Sequence, residues 1–152
     1  MTRFRRILVP HDFSKHAGRA LALAVQLARD GGGRLLVLHV MTPFRPITGL
    51  PEESLAWVPP TTVASERKRL ETLVARTVGR RGPRIDCRVV VGDAFERIIE
   101  AARGSDVIVM ATAGRTGLAH LLIGSVAEKV VRHAPVPVLT IRPPRPRGRG
   151  HR

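Results

Sequence analysis

Short apolar runs alternate with longer stretches of helical periodicity along nearly the whole chain, and this alternation narrows the possible folds to those built from repeated strand and helix units. Five runs read as strands: Phe4 to Pro10, Arg34 to Met41, Arg84 to Val91, Asp106 to Thr112 and Val136 to Arg142. Between them, Ala17, Ala20, Leu21, Ala24, Leu27 and Ala28 recur at three- and four-residue spacing and mark one helix face. Leu70, Leu73, Val74 and Thr77 mark a second, Phe95, Ile98, Ile99 and Ala102 a third, and Ala127, Val130, Val131 and Ala134 a fourth. The units predict a single α/β domain on an open parallel sheet. Strands one to four read as continuously apolar, which predicts helices over both sheet faces. The fifth contains Pro137, which has no amide hydrogen for a ladder, so it belongs at an edge or has its start free. An apolar edge is a template for association, and a second copy of the chain is its simplest cover. A homodimer through Val136 to Arg142 is therefore expected.

With 152 residues and 43% hydrophobic content, one compact domain over residues 1–142 has enough apolar material for a core. Beyond it, Pro143 to Arg152 holds only proline, arginine, glycine and one histidine, and is expected to be a disordered basic tail. The proline-rich stretch Thr42 to Thr62, with the single tryptophan Trp57, reads as a flap over the strand ends or as a plain surface loop. Apolar runs are far shorter than the roughly 20 residues of a membrane span, and no signal peptide is apparent, so a cytoplasmic protein is expected. The lone cysteine, Cys87, reads as a small buried core residue. Net charge is +14, of which four positive charges lie in the last ten residues, leaving +10 on the rest. Basicity thus belongs to the whole surface, with no clustered arginine patch expected outside the tail.

Helix boundaries have their own signals. Ser125 with Glu128 three residues on reads as a capping box for the last helix, and Asp93 with Glu96 as a similar start for the third. Gly31 to Gly33, Gly79, Gly82 and Gly104 are expected to close helices in the left-handed conformation.

The strongest chemical signal is Val109-Met110-Ala111-Thr112-Ala113-Gly114-Arg115-Thr116-Gly117 followed by Gly124-Ser125-Val126-Ala127-Glu128. A strand ends in a glycine-bearing loop, and another glycine opens a helix, so backbone amides and a helix amino terminus could cradle a phosphate. The same glycines could equally serve only to turn the chain. Arg115 is either a phosphate partner or an exposed loop residue. Asp12, at the end of strand one, could cap the next helix, as Ser14 could. No phosphate-loop lysine motif is present, His11, His39 and His120 lack an evident nucleophile, and no catalytic residue or metal site is expected.

Ile7-Leu8-Val9-Pro10-His11-Asp12-Phe13-Ser14 resembles the opening strand and acidic loop of the universal stress protein family. Gly114 to Leu118, Gly124 to Glu128 and Ala134 to Leu139 resemble its carboxyl-terminal signature, and the similarity spans residues 4 to 142. The resemblance implies a Rossmann-like, adenine nucleotide alpha hydrolase-like fold with five parallel strands in the order 3-2-1-4-5 and helices on both faces. That order puts the topological switch between strands one and four, where open α/β sheets hold ligands. It further implies a site for ATP or AMP, with Mg2+ as a companion ion, although no second acidic residue beside Asp12 suggests a magnesium pair. The implied residues are Pro10, His11 and Asp12; Val40 and Met41 beside the adenine; Met110, Ala111 and Thr112; Gly114, Arg115 and Gly117; and Gly124, Ser125 and Val126. In the family's nucleotide-binding branch a glycine stands where this chain has Ala111, so one methyl group enters the phosphate cradle. The implied function is a nucleotide-responsive regulatory module of the stress response with an unknown protein partner. Alternatives are a slow ATPase or an apo-type stress protein acting through partners alone. A nucleic-acid role ranks last, because no aromatic platform accompanies the charge.

Overall fold

The computed structural model describes residues 4–43, 58–79, 82–113 and 123–142. The chain runs β1 (Arg6–Pro10), α1 (Lys15–Gly31), β2 (Arg34–Met41), α2 (Pro60–Val78), β3 (Arg84–Val91), α3 (Ala94–Ala102), β4 (Val107–Ala111), α4 (Ser125–His133) and β5 (Val138–Ile141). All strand pairs are parallel, and the order is β3-β2-β1-β4-β5, as expected. Successive strand residues point to opposite faces, so two cores form. Ile7, Val9, Leu35, Val37, Val107 and Val109 pack with Ala20, Leu21 and Ala24 of α1 and Leu70 and Val74 of α2. Leu8, Leu38, Ile108 and Met110 pack on the other face with Ile98 of α3 and Ala127 and Val130 of α4. Leu8 and Ile108 are register partners with no exposed surface. Ile108→Ala would cost about 2–5 kcal/mol and loosen the β1–β4 junction.

Local signals explain most boundaries. The Ser14 hydroxyl accepts the amide of Ala17 at 3.0 Å and starts α1, and Gly32, at φ 64°, ends it. Asp93 caps α3 by accepting the amide of Glu96 at 3.0 Å. Pro137 lies one residue before β5, which sits at the sheet edge.

Several expectations are corrected. β3 has no fully buried residue, because it is the opposite edge and alternates exposed Arg84, Asp86 and Arg88 with half-buried neighbours. Cys87 is accordingly half-buried, and burial together with Glu71 and Asp86 pushes its thiol up to about 11. Ser125 is the first helical residue of α4, not its cap; Gly124 holds the cap position, and no side chain bonds there. α3 closes on Arg103 in the right-handed conformation, and Gly104 is not left-handed. Gly82 is not left-handed either. Val131 is 47% exposed rather than part of a core face, and Thr77 is exposed with its hydroxyl donated to the Leu73 carbonyl. Pro60 to Thr62 form the first turn of α2, which shortens the expected flap; residues 44–57 of it, including Trp57, and the tail 143–152 lie outside the described residues.

Candidate functional site

β1 and β4 are neighbours, yet α1 leaves β1 toward one face and α4 leaves β4 toward the other. The crevice this opens at their carboxyl ends holds a cavity of about 320 Å³. One wall is apolar, with Leu38, Val40, Ile98 and Met110. The start of α4 lines the same space with Gly124, Ser125, Val126 and Ala127. The first intrahelical amide bond of α4 is Glu128 to Gly124, so the amides of Ser125, Val126 and Ala127 have no helical acceptor. Donors without a helical acceptor, together with the helix dipole, suit an anion.

Gly124 itself spends its amide on the Thr112 carbonyl at 2.7 Å. Its φ of −57° is one any residue adopts, so the need for glycine is steric: a Cβ there would stand 3.3 Å from the same carbonyl. Thr112 in turn donates its amide to Ile141 at 3.0 Å, which ties the cradle to the edge strand.

Asp12 also lines the cavity. One oxygen, Oδ1, accepts the Ser14 amide at 3.0 Å and shapes the turn into α1, while Ser14 does the helix capping. No described residue donates to Oδ2. His11 meets the cavity, but its ring is committed elsewhere: Nδ1 accepts the Phe13 amide at 3.0 Å, and the ring stands edge-on to Phe13. With Nδ1 as acceptor, neutral His11 carries its proton on Nε2, which is buried and has no partner among the described residues. Burial, partly opposed by Asp12 and reinforced by His39, lowers its pKa to about 4. His39 donates Nδ1–H to the His11 carbonyl at 2.8 Å, so the two rings stiffen the ends of β1 and β2 together.

A family model described as the universal stress protein family matches residues 3–142. The chain belongs to the universal stress protein family. A universal stress protein of Thermus aquaticus is 38% identical over 143 residues, covering 91% of this chain and 99% of that one. The solved structure of a family member from Burkholderia pseudomallei is 31% identical, covers 94% and 99% of the two chains and has a TM-score of 0.65. That of MJ0577 from Methanocaldococcus jannaschii is 25% identical, covers 95% and 100%, and has a TM-score of 0.75.

Of the residues expected to form the site of this universal stress protein, Pro10, His11, Asp12, Val40, Met110, Ala111, Thr112, Gly124, Ser125 and Val126 line the one cavity. Met41 does not; its carbonyl accepts the Gly92 amide at 3.0 Å, which draws it toward β3. Gly114, Arg115 and Gly117 lie outside the described residues, as does His120. Ala17, Leu38, Thr42, Ala94, Ile98 and Ala113 also line the space, although none was among the expected site residues. Leu38 and Ile98 were findable, since each is an apolar residue on a strand or helix beside the switch. Among the described residues no cluster of His, Cys, Asp and Glu could hold a metal, and no helix is long and apolar enough to cross a membrane.

Proposed function

We propose that this universal stress protein binds an adenine nucleotide in the cavity between β1 and β4 and works as a nucleotide-responsive binding module. The observation that carries the reading is the meeting, in one space, of the apolar wall with three amides at the start of α4 that have no acceptor among the described residues. A flat base fits the first and a phosphate the second. Asp12 lines the same space and would accept from ribose hydroxyls. Two structures of the same fold, each 21% identical with TM-scores of 0.64 and 0.63, are complexes with cAMP and with dAMP. The Ala111 methyl at the cavity lining narrows the phosphate end, so binding weaker than in a chain with glycine there follows. The reading includes a homodimer through β5, whose Leu139 is 40% exposed at the edge of the sheet.

Calorimetric titration of AMP and ATP into the parent, Asp12→Ala and Gly124→Val tests it, after circular dichroism has shown all three folded. At Gly124 the added side chain meets the Thr112 carbonyl and projects where the cavity lies. Its affinity should fall at least about tenfold, roughly 1.4 kcal/mol, with a smaller loss for Asp12→Ala. Unchanged affinity in Gly124→Val would remove the site from this cavity.

A further inference from the structure

The two helical layers do not cover the sheet equally. α1 and α2 pack under β1, β2 and β3, whereas α3 and α4 pack over the side that carries Leu8, Ile108 and Met110. On that second side a groove of about 1070 Å³ runs between β3 and α3. Its walls hold half-buried Leu36 and Val90, and its rim is rich in arginine.

The arginines are not scattered. Arg6 of β1 is the register partner of Arg34 of β2, and Arg34 is the register partner of Arg84 of β3. Three exposed like charges thus stand side by side on strands about 4.8 Å apart, an arrangement that works against sheet stability. Arg6 is answered by Asp106 at 2.9 Å, and its ion pair holds the Asp106 carboxyl below the usual range. No carboxylate within ion-pair distance of Arg34 or Arg84 occurs among the described residues. Further along the groove Arg88 and Arg97 are matched by Asp86 and Glu100, so the lining keeps a positive excess. The expectation that arginines cluster only in the tail is therefore corrected. Each of the first three strands begins with arginine, and the sheet brings those starts together.

We infer that this groove is a docking surface for an acidic amphipathic helix of a partner protein. A helix with its side chains is roughly 10–12 Å across and would supply the cover the sheet lacks beside α3. Its apolar stripe would meet Leu36 and Val90, and flanking carboxylates would meet Arg34 and Arg84. Charge sign disfavours one other occupant and the make-up of the lining a second. A second copy of this chain carries net +14, the wrong sign for an arginine rim. Single-stranded nucleic acid binds through aromatic stacking as well as charge, and the groove lining contains no aromatic residue. The ladder lies at the amino ends of the strands, the opposite end from the proposed nucleotide cavity, while the groove runs up to Val90, the register partner of Val40, and shares Leu38 with that cavity.

The test is selection from a library of helices displayed on a rigid three-helix scaffold, with the outward face randomised, against the parent protein. Binders are then measured on the Arg34→Glu/Arg84→Glu double variant and on Leu36→Glu. The two arginines are exposed, and circular dichroism confirms folding of each variant before use. Enriched helices should carry Asp and Glu beside an apolar stripe and should bind the double variant on the order of tenfold more weakly. They should also protect amides of β2, β3 and α3 from hydrogen exchange. The proposal is overturned if nothing is enriched, if the binders ignore both variants, or if the protected amides lie elsewhere. It is also overturned if a single-stranded oligonucleotide displaces the helices with the same dependence on Arg34 and Arg84, which would assign the groove to nucleic acid.

Discussion

The guanidinium carbon of Arg69 lies 4.0 Å from the centroid of the Phe13 ring, with His39 packed at 4.5 Å from the same ring. Phe13 has φ 64°, a left-handed conformation that is strained for a bulky side chain and costs about 1–3 kcal/mol. It falls between Asp12, which lines the cavity, and Ser14, which caps α1. α2 thus reaches across, through Arg69, to hold the one strained residue of the β1–α1 turn. Arg69→Met keeps the packing of the stem but removes the charge, and should cost about 0.5–1 kcal/mol. Phe13→Gly relieves the backbone strain that Phe13→Ala retains, so the glycine variant should be the more stable of the two by about 1 kcal/mol in urea unfolding. If alanine proves equal or better, the turn is not strained as described.

His11 makes stability depend on pH. Its folded pKa, about 4, lies below the ordinary 6.5, so the unfolded chain takes up the proton first as pH falls. The contribution is fully present above about 6.5 and is lost progressively down to about 4. The whole loss is about 3 kcal/mol. His11→Asn offers an oxygen to the Phe13 amide and does not titrate, so the difference in unfolding free energy between parent and variant should change across that window. A difference that stays flat from pH 7 to pH 4 would contradict the burial argument.

How much of this was legible in the sequence depended on whether a signal was local. The bounds of β2 and β3 coincide with their expected runs, because each apolar run is bracketed by Gly, Pro or charged residues. β5 begins at Val138, two residues later than its run, since Pro137 has no amide to pair. Asp12, Ala111 and Gly124 converge because each ends a strand or starts a helix at the topological switch, which motif and strand order together locate. The arginine ladder depends on register between strands far apart in sequence, and the run lengths carried no register. The strain at Phe13 was equally hidden, since nothing in Asp12-Phe13-Ser14 marks a left-handed aromatic residue. Ser125 was misread because a serine with Glu three residues on fits the first helical position as well as the cap.

The ladder has a consequence for stability whatever docks on it. Arg34→Glu replaces a like charge between Arg6 and Arg84 with an opposite one. Each cross-strand pair is worth about 0.2–1 kcal/mol, so the variant should melt about 2–4 °C higher than the parent at low salt. Most of the gain should vanish in about 1 M salt, where screening is short-ranged. A lower melting temperature would mean the register does not bring these charges together.

The proposed homodimer is tested at the β5 edge. Leu139 and Val131 are both large, apolar and substantially exposed. Leu139→Asp should shift sedimentation velocity from dimer to monomer with an unchanged circular dichroism spectrum. A parent that sediments as a monomer at high concentration, or a variant that stays dimeric, would place the contact elsewhere or abolish it.

A chain of net +14 attracts any nucleotide loosely, so the decisive measurement is where the nucleotide sits as well as that it binds. Photolabelling with azido-ATP, followed by mass spectrometry of the adducts, reports this directly. Adducts are expected within residues 10–12, 38–40, 110–113 or 124–127, or on Thr42, suppressed by excess AMP and by Gly124→Val. Adducts confined to the arginine-rich amino ends of β1, β2 and β3, or spread over the surface with no protection by AMP, would contradict it.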